Sequence, residues 1–257
     1  MLAMLYGVIA DIHGNLAALE AVLAAGAERG LYQWICLGDI VGYGANPREC
    51  VDRVRALAGH TVQGNHDAAA AGGTSMRAFN PHARRALEWT VSQLGPDEFA
   101  YLEHLPLATE AYSGLCVHAD PRNPSGWNYI DNAASAAATL SCTGSFCCWT
   151  GHTHRPALWS IPDRPAVPAD RARPRQTADR DCVCLSSGQR HLVNAGSVGQ
   201  PRDGDPRACF IWCEDGGAEN GITLEFVRVP YDVGSAQRRI RAAGLPDVLA
   251  VRLEYGR

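Results

Sequence analysis

Five short blocks of this sequence concentrate the side chains that can bind metal ions. They are Asp11-Ile12-His13, Gly38-Asp39-Ile40-Val41-Gly42, Gly64-Asn65-His66-Asp67, His118 and Gly151-His152-Thr153-His154. Each block directly follows an apolar run typical of a β-strand, and five of the nine histidines lie within the blocks. Because ligands of open α/β sheets bind beyond the carboxyl ends of the strands, we expect the five blocks to meet there.

The spacing within the blocks predicts two neighbouring divalent cations. Side chains two residues apart on an extended segment point the same way, so Asp11 and His13 can address one cation together. His152 and His154 share this spacing and can divide between the two cations. A carboxylate offers about four lone-pair sites, so Asp39 can bridge both ions.

The resulting hypothesis assigns seven ligands to two metal ions. One ion takes Asp11, His13, Asp39 and His154, and the other takes Asp39, Asn65, His118 and His152. Mixed nitrogen and oxygen ligands suit Mn, Fe, Zn, Co or Ni, and the sequence does not choose among these metals. With a bridging hydroxide, the formal charge of the cluster is about +1, so the site should attract an anion.

The chemistry that such a site predicts is hydrolysis of a phosphate ester. Two cations about 3.5–4 Å apart lower the pKa of a shared water and hold the phosphoryl oxygens for in-line attack by the bridging hydroxide. His66 is the candidate donor to the transition state and the candidate general acid for the leaving oxygen. Asp67 is the second candidate catalytic residue, because it could hold the His66 imidazole in the required tautomer.

Taken one at a time, the blocks have simpler explanations. Asp11 and His13 could cap the following helix, and Gly38-Asp39 is a common turn. The block Gly151-His152-Thr153-His154 is the most specific, and the five blocks together, each behind a strand, favour the metal site. Tyr43, Asn194 and Arg202 are weaker candidates for contact with the substrate. Weaker still as contacts to a leaving group are the residues that follow His118: Arg122, Asn123 and Trp127.

Alternating strands and helices position the first three blocks. Apolar runs predict the strands, and apolar residues at helical spacing predict the helices. A cap followed by proline at Asn46-Pro47 and at Asn80-Pro81 marks two helix starts, and Gly95-Pro96 marks a helix end. The predicted elements are strands Met4–Ala10, Tyr32–Leu37 and Thr61–Gln63, a helix Leu16–Arg29, and helices that begin near Asn46 and Asn80.

Strands dominate the second half of the chain. The predicted strands are Leu115–His118, Phe146–Thr150, Ala157–Ile161, Val183–Leu185, Leu192–Asn194, Ala208–Trp212, Ile222–Val229 and a closing Val248–Tyr255. Helices are predicted near Asn132–Leu140 and Ser235–Ala243. The proline- and arginine-rich stretch Pro162–Arg180 has no periodicity, so we interpret it as an exposed, mobile excursion within one domain spanning residues 1–257. This mixture predicts an α/β protein with two sheet layers and helices outside.

Composition narrows the classes of partner. The 257 residues carry a formal charge of −4 without a block of lysine or arginine, so duplex nucleic acid is not an expected partner. No apolar run approaches the ~18 residues that cross a bilayer, and the apolar opening lacks a basic leader, so we expect a cytoplasmic protein without a membrane partner. The ten cysteines lie mostly in apolar runs without zinc-site spacing and are expected to be reduced core thiols. The sequence leaves the oligomeric state open.

Read in order, the motifs D-x-H, G-D-x-V-G, G-N-H-D, a lone strand-end histidine and G-H-T-H resemble the calcineurin-like metallophosphoesterase superfamily. The match runs from Asp11 to about Asp205, and the segment Asn194–Asp203 resembles the small prokaryotic branch of phosphodiesterases and phosphatases. The resemblance implies a four-layer αββα sandwich of two mixed sheets flanked by helices. It also implies the seven metal ligands given above, and every ligand position is filled. Ala195 departs from the branch, which usually has proline there.

The function that these observations favour is a phosphohydrolase with a binuclear metal centre. Its expected partner is a small phosphorylated substrate, and the branch that it resembles favours nucleotide-type or small phosphodiester substrates. Serine/threonine protein phosphatase-like and diadenosine-tetraphosphatase-like activities remain alternatives. A non-catalytic metal-binding scaffold is a further alternative, although relatives of that kind tend to lose the histidine of the G-N-H-D block, and this chain retains His66.

Overall fold

Two six-stranded mixed sheets, packed face to face, form the centre of the molecule. The structure, a computed structural model, describes residues 3–112, 114–163, 173–175, 182–216 and 221–257. Its strands are β1 (Met4–Ile9), β2 (Trp34–Cys36), β3 (Ala58–Thr61), β4 (Ala108–Ala111), β5 (Gly114–Val117), β6 (Cys147–Thr150), β7 (Ala157–Pro162), β8 (Arg173–Arg175), β9 (Cys182–Leu185), β10 (Gln189–Asn194), β11 (Ala208–Asp215) and β12 (Ile222–Val229).

Three parallel strands in each sheet bring the predicted blocks to one edge. The first sheet has the order β3-β2-β1-β11-β12-β9, and β1, β2 and β3 are parallel to one another. The second sheet has the order β4-β5-β6-β10-β7-β8, and β5, β6 and β10 are parallel. Since parallel strands end at the same edge, the chain that leaves these strands lines a single crevice.

Helices cover the outer faces of both sheets. They are α1 (Leu16–Glu28), α2 (Pro47–Leu57), α3 (Asn65–Ala70), α4 (Pro81–Gln93), α5 (Pro96–His104), α6 (Ala133–Cys142), α7 (Val233–Ala242) and α8 (Asp247–Tyr255). Two short 3₁₀ turns lie at Met76–Ala78 and Pro124–Gly126. In the part of the chain that the structure describes, no helix is long and apolar enough to cross a membrane.

Successive side chains of β1 point alternately into two hydrophobic cores, one on each face of the first sheet. Tyr6 and Val8 face the second sheet, where Trp149 and Val193 meet them, and all four side chains are fully buried. Ile9 points to the opposite face and joins the cluster beneath α1 and α2. The α/β class and the two mixed sheets with outer helices are therefore as the sequence predicted.

The prediction of a closing strand over Val248–Tyr255 is wrong, because this segment is helix α8. Leu249 and Leu253, four residues apart, are buried in a cluster with Ile240 of α7. Val248 and Val251 are exposed, and these outward-facing apolar residues hid the helical periodicity.

Two other boundaries differ from the prediction. Pro96 does not only end a helix; it also begins α5, where the Glu98 side chain accepts the Gly95 N–H at 2.7 Å. Within the stretch 162–180, Arg173–Arg175 forms strand β8 beside β7. The interpretation of this stretch as an irregular excursion is therefore wrong for these three residues. The rest of that stretch beyond Asp163 lies outside the described residues.

The ten cysteines are thiols rather than disulfides. Seven of them are buried, in agreement with a role as small core hydrophobes. Cys142, Cys182 and Cys184 are exposed, so for these three the prediction of a core position is wrong.

Trp34 of β2 occupies a pocket that two glycines leave open. Its side chain is 4% exposed, and a Cβ built on either Gly7 of β1 or Gly26 of α1 would overlap its ring. The glycines therefore set how closely α1 approaches the sheet. Close packing of this kind tolerates little added volume.

We expect Gly26→Ala to lower the free energy of unfolding by about 1–3 kcal/mol through overpacking against Trp34. Helix propensity alone predicts the opposite sign, a stabilisation of about 1 kcal/mol. Urea unfolding measures the difference, with Gly59→Ala as the control, because a Cβ at Gly59 meets nothing within 4 Å. A Gly26→Ala protein more stable than the parent would contradict the packing argument.

Candidate metal centre

The segments that follow β1, β2, β3, β5 and β6 bring the seven predicted ligands together. Asp11, His13, Asp39 and His154 offer atoms that all lie within 4.8 Å of one another. Asp39, His118 and His152 form a second group by the same measure, so Asp39 belongs to both. Every one of these six side chains is buried, and Asn65 lies beside the second group.

Most of these residues sit in left-handed backbone. Asp11, His13, Asp39, His152 and His154 have φ between 50° and 66°, a region that non-glycine residues rarely adopt. Such positions cost of order 1–3 kcal/mol each and persist where the surrounding structure fixes them, commonly at functional sites. The expectation that Asp11 and His13 converge because they share one face of an extended segment is wrong. They converge through the tight turn after β1.

Backbone carbonyls fix the tautomers of the first two imidazoles. Nδ1 of His13 is 3.0 Å from the Val41 carbonyl, and Nδ1 of His154 is 2.6 Å from the Gln200 carbonyl. A carbonyl oxygen can only accept, so each Nδ1 must carry the proton. The two Nε2 atoms face each other at 3.1 Å with lone pairs and no proton between them. This arrangement is stable when a cation lies between the nitrogens.

The second group has the same pattern of carbonyl acceptors. His118 donates from Nδ1 to the Leu37 carbonyl at 2.7 Å, and His152 donates from Nε2 to the Trp127 carbonyl at 3.0 Å. Their remaining nitrogens face each other at 3.1 Å, and the Asn65 amide oxygen lies 3.2 Å from His118 Nε2. These acceptors could not be predicted from sequence, because every residue type carries the same backbone carbonyl.

The donor set fits divalent cations. Ligand atoms about 2.0–2.2 Å from a shared ion are separated by roughly 2.9–3.5 Å at tetrahedral or octahedral angles. Oδ2 of Asp39 lies 3.5 Å from His13 Nε2 and 3.4 Å from His118 Nε2, which suits one oxygen between two ions. Oδ1 of Asp11 is buried without a hydrogen-bond partner among the described residues, and it lies 3.4 Å from His154 Nε2. A cation would satisfy this atom.

Glycines of the second and third blocks make room for the functional side chains. Gly42 has φ of 89°, and a Cβ there would overlap Nδ1 of His66. A Cβ on Gly64 would overlap the Asp39 carboxylate. These two positions therefore exclude any side chain, which explains why glycine occurs in both blocks.

Asp67 does not contact the imidazole of His66. Its Oδ1 accepts the N–H groups of Ile40 and Val41 at 2.9 and 3.2 Å, and its Oδ2 accepts the N–H of Gly64 at 3.0 Å. The predicted role of Asp67 in fixing the His66 tautomer is therefore wrong in this geometry. Its carboxylate instead ties the segment after β2 to the first turn of α3, and so it positions Asp39 and His66.

His66 borders the cavity above the two groups. That cavity has a volume of about 300 Å³, and Tyr43 and Arg202 also line it, as the sequence suggested. The His66 ring lies between Tyr43 and Phe79, with centroid distances of 4.6 and 4.9 Å. Its Nδ1 has no hydrogen-bond partner in the described part of the chain. The ring is held in place by aromatic contacts and not by a carboxylate.

Two residues depart from the sequence-based candidates. Asn194 binds backbone, through the Gly151 carbonyl at 2.5 Å and the Gly196 N–H at 3.0 Å, and is not among the residues lining the cavity. Tyr129 was not predicted, yet its ring stacks on His152 at 4.1 Å and is half exposed on the cavity wall. No spacing rule in the sequence marks Tyr129, since its loop has no periodic pattern.

A family model for the calcineurin-like phosphoesterase superfamily domain matches residues 4–216. The chain belongs to this superfamily. It is 41% identical to a metallophosphoesterase from Sphaerobacter thermophilus, whose crystal structure superimposes with a TM-score of 0.86 over 99% of this chain and 100% of that one. An uncharacterized protein of Methanocaldococcus jannaschii is 34% identical over 266 residues, covering 100% of both chains.

A more distant structure shares the fold. A hypothetical protein of Pyrococcus horikoshii is 20% identical, with a TM-score of 0.73 over 100% of this chain and 99% of that one. Membership of the superfamily identifies the chain as a hydrolase that acts on ester bonds. The crevice at the strand ends is the place in this phosphoesterase where its metal-binding residues would lie.

Burial and neighbouring charges set the protonation of the metal-free phosphoesterase. Burial lowers the pKa of His152 to about 3 and holds that of His13 well below its ordinary value. Burial also opposes charge on His118, but the carboxylates of Asp39 and Asp11 outweigh it and raise the pKa of His118 to about 9. Burial raises the pKa of Asp11 to about 7, with Asp39 adding to the shift. The metal-free site therefore holds at least one proton at neutral pH.

We expect metal binding at pH 7 to release on the order of one proton per chain, because His118 must lose its proton to become a ligand. Titration calorimetry with Mn²⁺ in buffers of different ionisation enthalpy measures this release. Above pH 9, His118 is already neutral, so the release should fall. Metal uptake without proton release at pH 7 would contradict the protonation state inferred for His118.

Proposed function

We propose that this phosphoesterase hydrolyses phosphodiester or phosphomonoester bonds at a pair of divalent cations. The observation that carries the proposal is that the two groups of candidate ligands share the Asp39 carboxylate. When bound, the two cations would supply a nucleophile from water and stabilise charge on the phosphoryl oxygens. The ligand set is mostly neutral, which leaves positive charge for an anionic substrate.

In this proposal, His66 donates to the substrate. Its ring borders the cavity, and its backbone N–H donates to Asp39 Oδ1 at 2.8 Å, so the donor and the bridging carboxylate are held together. Burial lowers the pKa of His66 to about 4, so the ring is neutral at pH 7 and can donate one hydrogen bond. A phosphate anion beside the ring would raise this pKa and favour proton transfer to the leaving oxygen.

The cavity favours small substrates of nucleotide type. Its volume of about 300 Å³ lies in the range of small-molecule sites. The rings of Phe79, Trp127 and Tyr129 line it beside the metal-binding residues. Aromatic rings of this kind stack on planar groups such as nucleobases, whose stacking is worth about 1–3 kcal/mol per base. These walls support an aromatic ester group next to the phosphate.

We expect Asp39→Asn to lower kcat for bis-p-nitrophenyl phosphate with Mn²⁺ by at least about 10²-fold, because the amide removes the shared charge between the two groups. Release of p-nitrophenolate measures the rate. Asp52→Asn is the matched control, since Asp52 is a surface residue paired with Arg55. Absence of metal-dependent turnover on mono- and diesters by the parent protein would refute the enzyme function and favour a metal-binding scaffold.

His66→Ala tests the donor through the leaving group. If His66 protonates the leaving oxygen, its loss should slow an ester with an alkoxide leaving group by about 10²–10⁴-fold, and a p-nitrophenyl ester much less. The exposed His104 provides the control variant His104→Ala. Equal losses on both esters would show that His66 only binds phosphoryl oxygens and is not the general acid.

A further inference from the structure

Beside the metal centre lies a second cavity with a cationic lining. Its volume is about 660 Å³, larger than that of the cavity above the metal-binding residues. It is lined by Arg155, Pro156, Arg202, Asp203, Gly204, Arg228 and Arg257. Four arginines against one aspartate give the lining a side-chain charge of +3, whereas the whole chain carries −4. Local concentration of positive charge in a concave surface favours an anionic ligand.

Arg202 belongs to both cavities. Its guanidinium lies over the Tyr43 ring at 5.8 Å, beside the metal centre, and its Nη2 donates to the Gln200 side chain at 2.9 Å. Its backbone N–H donates to the carbonyl of His154 at 3.1 Å. The two cavities therefore adjoin at Arg202.

Two buried donors in the lining lack acceptors. Arg228 is 10% exposed and pairs with Asp203 and, at 3.9 Å, with Asp205, yet its Nη1 has no hydrogen-bond partner among the described residues. Nε of Arg202 is likewise buried without a partner there. Buried donors without acceptors are uncommon in folded proteins and call for an explanation. The oxygens of an anion would supply the missing acceptors.

The Arg155 side chain is held in place by a hydrogen bond and forms no ion pair with the described residues. Its Nε donates to the Arg202 carbonyl at 2.9 Å, and no carboxylate within the described ranges lies at ion-pair distance from it. Another part of the lining is fixed by the Gly204 N–H, which donates to the Gly256 carbonyl at 3.0 Å. Because backbone bonds hold both parts of the lining, a ligand meets arginines that are already positioned.

We propose that this cavity binds a second phosphoryl group of the substrate. The proposal rests on the function proposed above: one phosphoryl group lies at the cations, and the other lies against Arg155 and Arg202. Guanidinium groups present two parallel N–H donors that match phosphate oxygens, which a point charge cannot do. The substrate class is then a small phosphodiester of nucleotide type that carries a further phosphate.

The test compares two chromogenic esters that differ in one phosphate. They are the p-nitrophenyl ester of thymidine 5′-phosphate and the same ester with a 3′-phosphate. The parent protein should show a kcat/KM about tenfold higher for the doubly phosphorylated ester, as expected for charge-assisted hydrogen bonds. Arg155→Met should bring the ratio close to one, and Arg155→Lys should restore part of it.

Arg53→Met is the matched control, since Arg53 is an exposed arginine paired with Glu20. It should leave the ratio between the two esters as in the parent protein. A ratio near one in the parent, or a ratio that Arg155→Met does not change, would overturn the proposal.

Binding measurements separate this proposal from the function on which it rests. In titration calorimetry of the metal-loaded protein, Arg155→Met should weaken tripolyphosphate binding about tenfold more than orthophosphate binding. If both anions weaken equally, the second subsite is refuted while ester hydrolysis stands. If no ester is turned over, the proposed function is refuted, and the tripolyphosphate titration alone decides whether the cavity binds phosphoryl groups.

Discussion

The structure depends on four imidazoles that each turn one ring nitrogen toward the same crevice. In each of them, a backbone carbonyl accepts the proton of the opposite ring nitrogen. Those carbonyls belong to loops that follow parallel strands. The arrangement of the sheets therefore fixes which nitrogen of each ring carries the proton. Without cations, the lone pairs of His13 and His154 repel each other at 3.1 Å. The fold thus holds an arrangement that a pair of cations stabilises, and metal binding and folding are thermodynamically linked.

Space imposes the second constraint on the site. Gly42 and Gly64 lie so close to His66 and Asp39 that any side chain would displace them. The backbone of five of the seven candidate ligands is left-handed, a conformation of higher energy that the surrounding hydrogen bonds must hold. Asp67 provides three of these bonds from one carboxylate. Stability elsewhere in the two sheets offsets the cost of this backbone.

Local signals allowed much of the fold and of the site to be predicted. Polar residues directly after buried strands predicted the meeting place, because an apolar run shows where a strand ends and ligands of α/β sheets lie beyond the carboxyl ends of the strands. The role of Asp67 was not readable: sequence adjacency suggested a contact with His66, but as the third residue of α3 its side chain turns back to the backbone of Gly64. Helix α8 was missed because tertiary contacts of Leu249 and Leu253 decide its conformation.

The mostly neutral set of candidate ligands connects the proposed metal centre to the proposed substrate. A site with more carboxylates would hold cations more tightly, but its charge would no longer attract phosphate. Here only Asp11 and Asp39 are acidic among the seven residues, and burial lowers the pKa of His13 and His154 well below its ordinary value, so these imidazoles add no charge. The net charge of −4 does not oppose this attraction, because charges beyond about 8–10 Å are screened at physiological salt. Electrostatics at the crevice, and not the charge of the whole chain, therefore determines which ligands reach it.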